Sequence, residues 1–206
     1  MHQTMYATLS KRALALVIAA LLAMGAVFMM AGCSGTSDEQ VIRDGITKEL
    51  DAFKNPTKES LAPYIGEADE DQLAALEAYG VDIYEFIEHA FRGFDYEIGD
   101  ITVDGDKATA NVKVTNIDVA NVTQDVMSKI STDKDISAKV QKLSEGGDQE
   151  KIMKYVFSLV YEAMDATTDT VTTDTTINLT KTDNQWNVDE ESITEMIQGM
   201  YGGLAN

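Results

Sequence analysis

The sequence predicts an α+β domain in which several helices pack against one face of a bent antiparallel sheet of about four strands. Three observations predict it. Apolar residues recur at helical spacing from residue 37 to 91 and again from 121 to 163. Between these stretches, residues 94–119 alternate apolar and polar side chains around a sharp turn. A threonine-rich alternation at 171–188 supplies the remaining strands.

The first part of this domain is predicted to be helical. Ser37 stands in N-cap position, with Gln40 three residues later in capping-box position. The apolar stripe that follows consists of Ile42, Ile46, Leu50 and Phe53. Asn55-Pro56 ends this helix. Shorter helical segments follow at 57–64, 69–79 and 82–91, and Gly80 is placed to end the second of them in a left-handed conformation.

Two hairpins are predicted to form the sheet. Phe94, Tyr96 and Ile98 alternate with acidic residues, and a slip of this alternation at Gly99–Asp100 predicts a β-bulge. The turn Asp104-Gly105-Asp106 leads into a strand that runs to Val119. In the second hairpin, one strand face carries Val171, Thr173, Thr175, Ile177 and Leu179, the turn is Asp183–Asn184, and the return strand carries Trp186 and Val188.

Further helices are predicted between and after the hairpins. Residues 121–145 carry two apolar stripes separated by a polar break at 131–135. Gly146–Gly147 separates them from another helix, whose buried side is Ile152, Val156, Leu159, Val160 and Ala163. A terminal helix carries Ile193, Met196, Ile197 and Met200.

The stretch Lys11–Cys33, KRALALVIAALLAMGAVFMMAGC, predicts where the protein is located. Lys11 and Arg12 precede an uncharged apolar run at 13–30, and the small residues Ala31 and Gly32 precede the only cysteine. These features resemble the bacterial lipobox, although Met30 stands where that pattern prefers leucine. The resemblance implies cleavage between Gly32 and Cys33 and a diacylglyceryl group on the sulfur of Cys33.

Three segments follow from this interpretation. Residues 1–32 are a lipoprotein signal peptide, residues 33–36 are the lipidated cysteine and a short tether, and residues 37–206 are a single α+β domain. The alternative is an uncleaved membrane helix, because eighteen residues at 13–30 would span about 27 Å as a helix. Both alternatives place the rest of the chain outside the cytoplasm, since the positive charges precede the apolar run.

The charge of the chain excludes some partners. Removal of residues 1–32 takes away two basic and no acidic side chains, so the formal charge changes from −19 to −21. Nucleic acids and anionic lipid surfaces require clustered basic residues, so neither is an expected partner, and membrane attachment is left to acyl chains. With Cys33 used for lipid, no thiol remains for a disulfide, a zinc site or a nucleophile.

Two motifs carry a resemblance to a known group of proteins. FDYEIGDITVDGDKATANVKVTN at Phe94–Asn116 and NQWNVD at Asn184–Asp189, with helices before and between them, resemble uncharacterised bacterial lipoproteins that have a cystatin-like, nuclear-transport-factor-like domain. The resemblance implies a curved sheet around helices, often with a concave pocket. It transfers no catalytic residues, and a fold alone does not define a function.

Few residues suggest a catalytic or metal-binding site. His89, with Glu85 one helical turn before it, could form an acid–base or metal pair, but two residues do not complete a site. Asp104-Gly105-Asp106 could suggest calcium, but the EF-hand spacing is absent and a hairpin turn explains the three residues. Asp95 could line a pocket at the start of the sheet.

The sequence favours a binding module over an enzyme, because it has no nucleophile motif, complete metal set or phosphate-binding glycine loop. We expect no cofactor and no metal, and a small ligand, a peptide or an envelope protein as the partner. Tyr96 and Trp186 are the candidate pocket residues, since each places a large ring with one polar atom on an apolar strand face, where core packing is the alternative. A pocket enzyme and a structural lipoprotein without ligand remain as alternative functions.

Overall fold

The protein was analysed as a computed structural model, which describes residues 29–31, 36–65 and 70–202. Within these ranges the helices are α1 (Asp38–Lys54), α2 (Lys58–Ile65), α3 (Glu70–Ala78), α4 (Ile83–Ala90), α5 (Val119–Thr132), α6 (Lys134–Glu145), α7 (Gln149–Ala166) and α8 (Glu190–Met200). The strands are β1 (Met29–Ala31), β2 (Asp95–Asp104), β3 (Lys107–Ile117), β4 (Thr170–Thr182) and β5 (Gln185–Val188). The predicted α+β class is confirmed.

The sheet has the order β1-β5-β4-β3-β2, and every neighbouring pair is antiparallel. Strands β2 to β5 are the four that the sequence predicts. Strand β1 was not predicted, because its three residues lie at the end of the apolar run assigned to the signal peptide. The sequence-based assignment of residues 1–32 to a signal peptide stays a prediction.

The hairpin of β2 and β3 contains the predicted bulge. The register shifts between Ile98 and Ile101, which leaves carbonyl groups of the bulged strand without a partner in the ladder. Arg43 on α1 fills this gap, because its guanidinium donates to the carbonyl oxygens of Ile98 and Gly99, each at 3.0 Å. The helix and the bulge therefore hold each other in place.

The two faces of the sheet differ as the alternation predicts. The inner face is buried and carries Ala108, Ala110, Val112, Val114, Ile177 and Leu179. The outer face is exposed and carries Lys107, Thr109, Asn111 and Lys113 from β3 and Thr172, Asp174, Thr176, Asn178 and Thr180 from β4. Helix α1 packs beside β2, and α8 packs across β4 and β3. The threonine-rich segment is therefore strand β4, which has one face toward the core and one face exposed to solvent.

Helix boundaries follow local capping chemistry. The side chain of Ser37 accepts a hydrogen bond from the backbone N–H of Gln40 and caps α1 as predicted. The predicted polar break at 131–135 is confirmed, because Asp133 caps α6 by accepting from Asp135 and Ile136. One boundary was wrong. Strand β3 ends at Ile117, and Val119 begins α5, because Asp118 between them is an N-cap.

Candidate functional site

A cavity of about 540 Å³ lies between helices α2, α3, α4 and α7. Its apolar lining consists of Ile65, Leu73, Leu76, Val81, Ile83 and the ring of Tyr84. Its charged lining consists of Lys58, Glu77, Asp82, Glu150 and Lys154. Sites for small ligands typically combine apolar walls with a small number of polar groups.

The turn between α3 and α4 shapes one wall of this cavity. Gly80 has φ +71°, a left-handed conformation that glycine adopts without strain, and the backbone N–H of Val81 returns to the carbonyl of Leu76. A Cβ at Gly80 would lie 2.5 Å from Cε of Lys154. Glycine at this position therefore lets the aliphatic stem of Lys154 lie across the turn. The prediction that Gly80 ends the helical segment at 69–79 in a left-handed conformation is confirmed.

Four of the five charged residues that line the cavity are paired with each other. Lys154 Nζ lies 2.7 Å from Glu150 Oε1, and this hydrogen bond raises the pKa of Lys154. Lys58 Nζ lies 3.9 Å from Asp82 Oδ2 and 5.2 Å from the centre of the Tyr84 ring. Two basic and three acidic side chains line the cavity, so it carries a net negative charge when all five are ionised, and it does not favour an anion.

A second cavity, of about 380 Å³, lies on the outer face of the sheet at the bulge. Its polar lining consists of Glu97, Asp100, Asn111, Lys113, Asp174, Thr175 and Thr176. Thr176 Oγ1 donates to Asn111 Oδ1 at 3.2 Å across neighbouring strands. This groove has no aromatic wall, so it has little apolar surface with which to hold a ligand.

Tyr96, one of the two predicted pocket residues, ties β2 to α1. Its hydroxyl donates to Asp51 Oδ1 at 2.7 Å, and its ring lies 6.2 Å from that of Phe94. Burial, and then the neighbouring carboxylate of Asp51, raises the pKa of Tyr96 to about 12. Tyr96 lines neither of the two cavities described above, and its role in ligand binding stays a prediction.

Trp186, the other predicted pocket residue, lies in the core with 1% of its surface exposed. Its Nε1–H donates to Asp38 Oδ1 at 3.1 Å, and Lys181 Nζ donates to the same oxygen at 2.7 Å. The bond from Lys181, followed by that from Trp186, lowers the pKa of Asp38. This cluster fastens the start of α1 to β4 and β5. The contacts are those of a packed ring, and a pocket role for Trp186 also stays a prediction.

His89 pairs with a residue that sequence spacing did not indicate. Its Nδ1 lies 2.8 Å from Asp165 Oδ1 at the end of α7, and its ring stacks on that of Tyr161 with 4.4 Å between centres. Arg92 reinforces the same junction by donating from Nε to the carbonyl of Met164 at 2.7 Å. The side chains of His89 and of the predicted partner Glu85 form no hydrogen bond or ion pair with each other. The His89–Asp165 pair lines neither described cavity.

No metal site is found among the residues that the structure describes, where no three His, Cys, Asp or Glu side chains converge. Gly105, with φ +60°, and Asp106 form the hairpin turn between Asp104 and Lys107, so the turn interpretation is confirmed. Gly32 and Cys33, the predicted cleavage and lipidation positions, lie outside the described residues. None of the described helices is long and apolar enough to cross a bilayer.

The described residues form an α+β protein in which four helices line a cavity with apolar and charged walls. No family model, curated protein or solved structure matches the chain. The resemblance to cystatin-like and nuclear-transport-factor-like lipoproteins therefore stays a prediction from the sequence.

Proposed function

We propose that this chain is a bacterial cell-envelope lipoprotein that binds a small ligand, a peptide or an envelope partner outside the cytoplasm. The observation that carries the binding role is the cavity of about 540 Å³ between α2, α3, α4 and α7. Buried apolar side chains form its walls, among them Leu76 and Val81. The signal-like stretch Lys11–Cys33 supports the location.

The charge around the cavity narrows the class of ligand. Its own ionisable residues sum to a negative charge, and the mature domain as a whole is strongly acidic. An anion would be repelled by this field, whereas a neutral or basic molecule would not. The ligand that fits is therefore an apolar compound, neutral or carrying an amine, of the size that a cavity of this volume accepts.

Binding is favoured over catalysis by what surrounds the cavity. An acid–base enzyme needs its proton-transferring groups within hydrogen-bond reach of the substrate. His89 and Asp165 form such a pair, 2.8 Å apart, but neither residue lines this cavity. The pair that the sequence singles out for acid–base chemistry therefore does not serve this cavity, and we propose a binding module in preference to a pocket enzyme. A structural lipoprotein without ligand is the remaining alternative.

Filling the cavity tests the binding role. Leu73 lines the cavity and is only partly buried, so the substitution Leu73→Trp should occupy the site without enlarging a residue of the deep core. Native mass spectrometry of the protein extracted from membranes should show an added mass in the wild type. We expect the fraction carrying that mass to fall at least about tenfold in Leu73→Trp.

The matched control is Leu143→Trp, which enlarges a partly buried leucine on α6 that lines neither described cavity. This variant should keep the added mass. If the wild type carries no added mass, or if both variants lose it equally, the cavity is not a ligand site and the structural alternative gains support.

The lipid anchor makes a separate prediction. We expect the protein purified from bacterial membranes to lack residues 1–32 and to carry a diacylglyceryl group on Cys33, because apolar and small residues precede this cysteine. Intact-mass measurement detects both changes. The variant Cys33→Ala, which has no sulfur to modify, should retain its full length. An unmodified full-length wild-type chain would exclude the lipoprotein assignment and favour the uncleaved anchor.

A further inference from the structure

The outer edge of β5 is paired with residues that the proposed processing removes. On one side β5 pairs with β4, and on the other it pairs with β1 in the register Met29↔Asn187, Met30↔Trp186 and Ala31↔Gln185. Strand β1 precedes the predicted cleavage point before Cys33. In the full-length chain β1 covers this edge of β5. The processed chain lacks β1.

The ladder between β4 and β5 identifies the backbone groups on that edge. Asp189 N–H donates to the carbonyl of Asn178, at 3.1 Å, and these two residues are opposite each other because Leu179 pairs with Val188. In an antiparallel ladder, alternate residues direct their N–H and C=O groups to opposite sides. Trp186 and Val188 therefore direct these groups away from β4, toward the edge.

The same alternation defines how a strand on this edge must bind. Met30 is opposite Trp186, whose backbone groups point outward, so the N–H of Met30 points toward β5. The N–H of Ala31, one residue further, points away from β5. Methylation of the Met30 nitrogen should therefore weaken pairing at this edge, whereas methylation of the Ala31 nitrogen should not.

We infer that the β5 edge of the processed chain is a docking surface for an extended peptide segment, neutral or basic, from an envelope protein, which adds as an antiparallel strand. The inference rests on the proposed removal of residues 1–32. An open strand edge is a template for such pairing, with backbone hydrogen bonds supplying affinity. The pairing of β1 shows that the edge accepts an antiparallel strand.

The charge of the domain determines which strand fits. Asp183, Asp189 and Glu190 flank β5 and are exposed, and a second copy of the chain would bring an equal negative charge to the same place. A neutral or basic segment avoids this repulsion. Its residue opposite Trp186 would lie on the same face of the sheet as the buried indole ring, so an apolar side chain fits at that position.

Peptide binding to the processed lipoprotein tests this inference. The probe is a fluorescein-labelled peptide of residues 27–32, VFMMAG, measured by fluorescence anisotropy against detergent-solubilised protein whose processed mass has first been verified. Two analogues carry an N-methyl group, one on Met30 and the other on Ala31. Both have the same apolar character, so they partition equally into micelles, and only the first blocks the bond to β5.

We expect the Met30 analogue to bind at least about tenfold more weakly than the Ala31 analogue, which should match the unmodified peptide. The unprocessed Cys33→Ala chain should also bind the unmodified peptide at least about tenfold more weakly, because its own β1 competes at a high effective concentration. Equal binding of the two analogues, or no binding to the processed chain, overturns the inference and leaves the lipoprotein assignment intact.

Two other outcomes also overturn it. A dimer of the processed chain that the peptide dissociates would show that a second copy is the natural occupant of the edge. A wild-type mass that retains residues 1–32 would remove both the lipoprotein assignment and this docking surface. The mass measurement precedes the binding measurement, so the two failures are distinguished.

Discussion

Replacing Trp186 by alanine is expected to lower the free energy of unfolding by about 3–5 kcal/mol. The ring is almost fully buried and is among the largest buried side chains of the described residues. Its removal leaves a cavity in the core and also removes the donor to Asp38 Oδ1. Urea denaturation of the purified protein, followed by circular dichroism, measures this loss as a lower midpoint with an unchanged slope.

Two comparisons separate the possible causes. Trp186→Phe keeps most of the ring volume and removes the hydrogen bond, so it should cost less than Trp186→Ala. Tyr96→Ala should also cost less, because Tyr96 is only partly buried. If Trp186→Ala leaves the midpoint unchanged but abolishes the added mass seen in native mass spectrometry, then Trp186 belongs to a ligand site and not to the core.

Features that depend on a few neighbouring residues could be predicted from the sequence. The cap at Ser37, the bulge after Ile98 and the left-handed Gly80 each follow from side-chain or backbone chemistry within one or two turns of chain. The threonine-rich strand could be predicted because alternation with β-branched residues is itself the property that a half-buried strand requires. Locally encoded structure is therefore visible before the fold is known.

Contacts between distant residues could not be predicted in this way. Glu85 was chosen as the partner of His89 because it lies one helical turn away, but the structure supplies Asp165 from another helix. Asp38 was not singled out at all, although it binds both Lys181 and Trp186. The helix-lined cavity also depends on contacts between distant residues. Its walls come from four helices, so the spacing of residues within any one helix does not predict it.

Asn116 is the clearest case of a residue whose role depends on distant contacts, and its role leads to the second large prediction. It is buried on β3 with 1% of its surface exposed. Its amide Nδ2 donates to the carbonyl of Ala90 at the end of α4, at 2.9 Å, and to the carbonyl of Met200 at the end of α8, at 2.8 Å. The last carbonyls of a helix have no partner within the helix, so one side chain satisfies two helix ends.

The substitution Asn116→Asp keeps the shape of the side chain but removes both donated hydrogen bonds, and near neutral pH it places a buried negative charge against two carbonyl oxygens. We expect the free energy of unfolding to fall by about 3–5 kcal/mol. The folded state should raise the pKa of the introduced carboxyl. The loss of stability relative to wild type should therefore grow as pH rises and shrink at acidic pH, where the protonated carboxyl can donate one hydrogen bond.

The matched control is Asn111→Asp on the exposed face of the same strand, where a carboxylate can still accept from Thr176. We expect its free energy of unfolding to change by no more than about 0.5 kcal/mol. Urea denaturation of both variants, from acidic to neutral pH, measures these changes in the free energy of unfolding. An equal, small and pH-independent effect of the two substitutions would show that Asn116 does not hold the ends of α4 and α8 together.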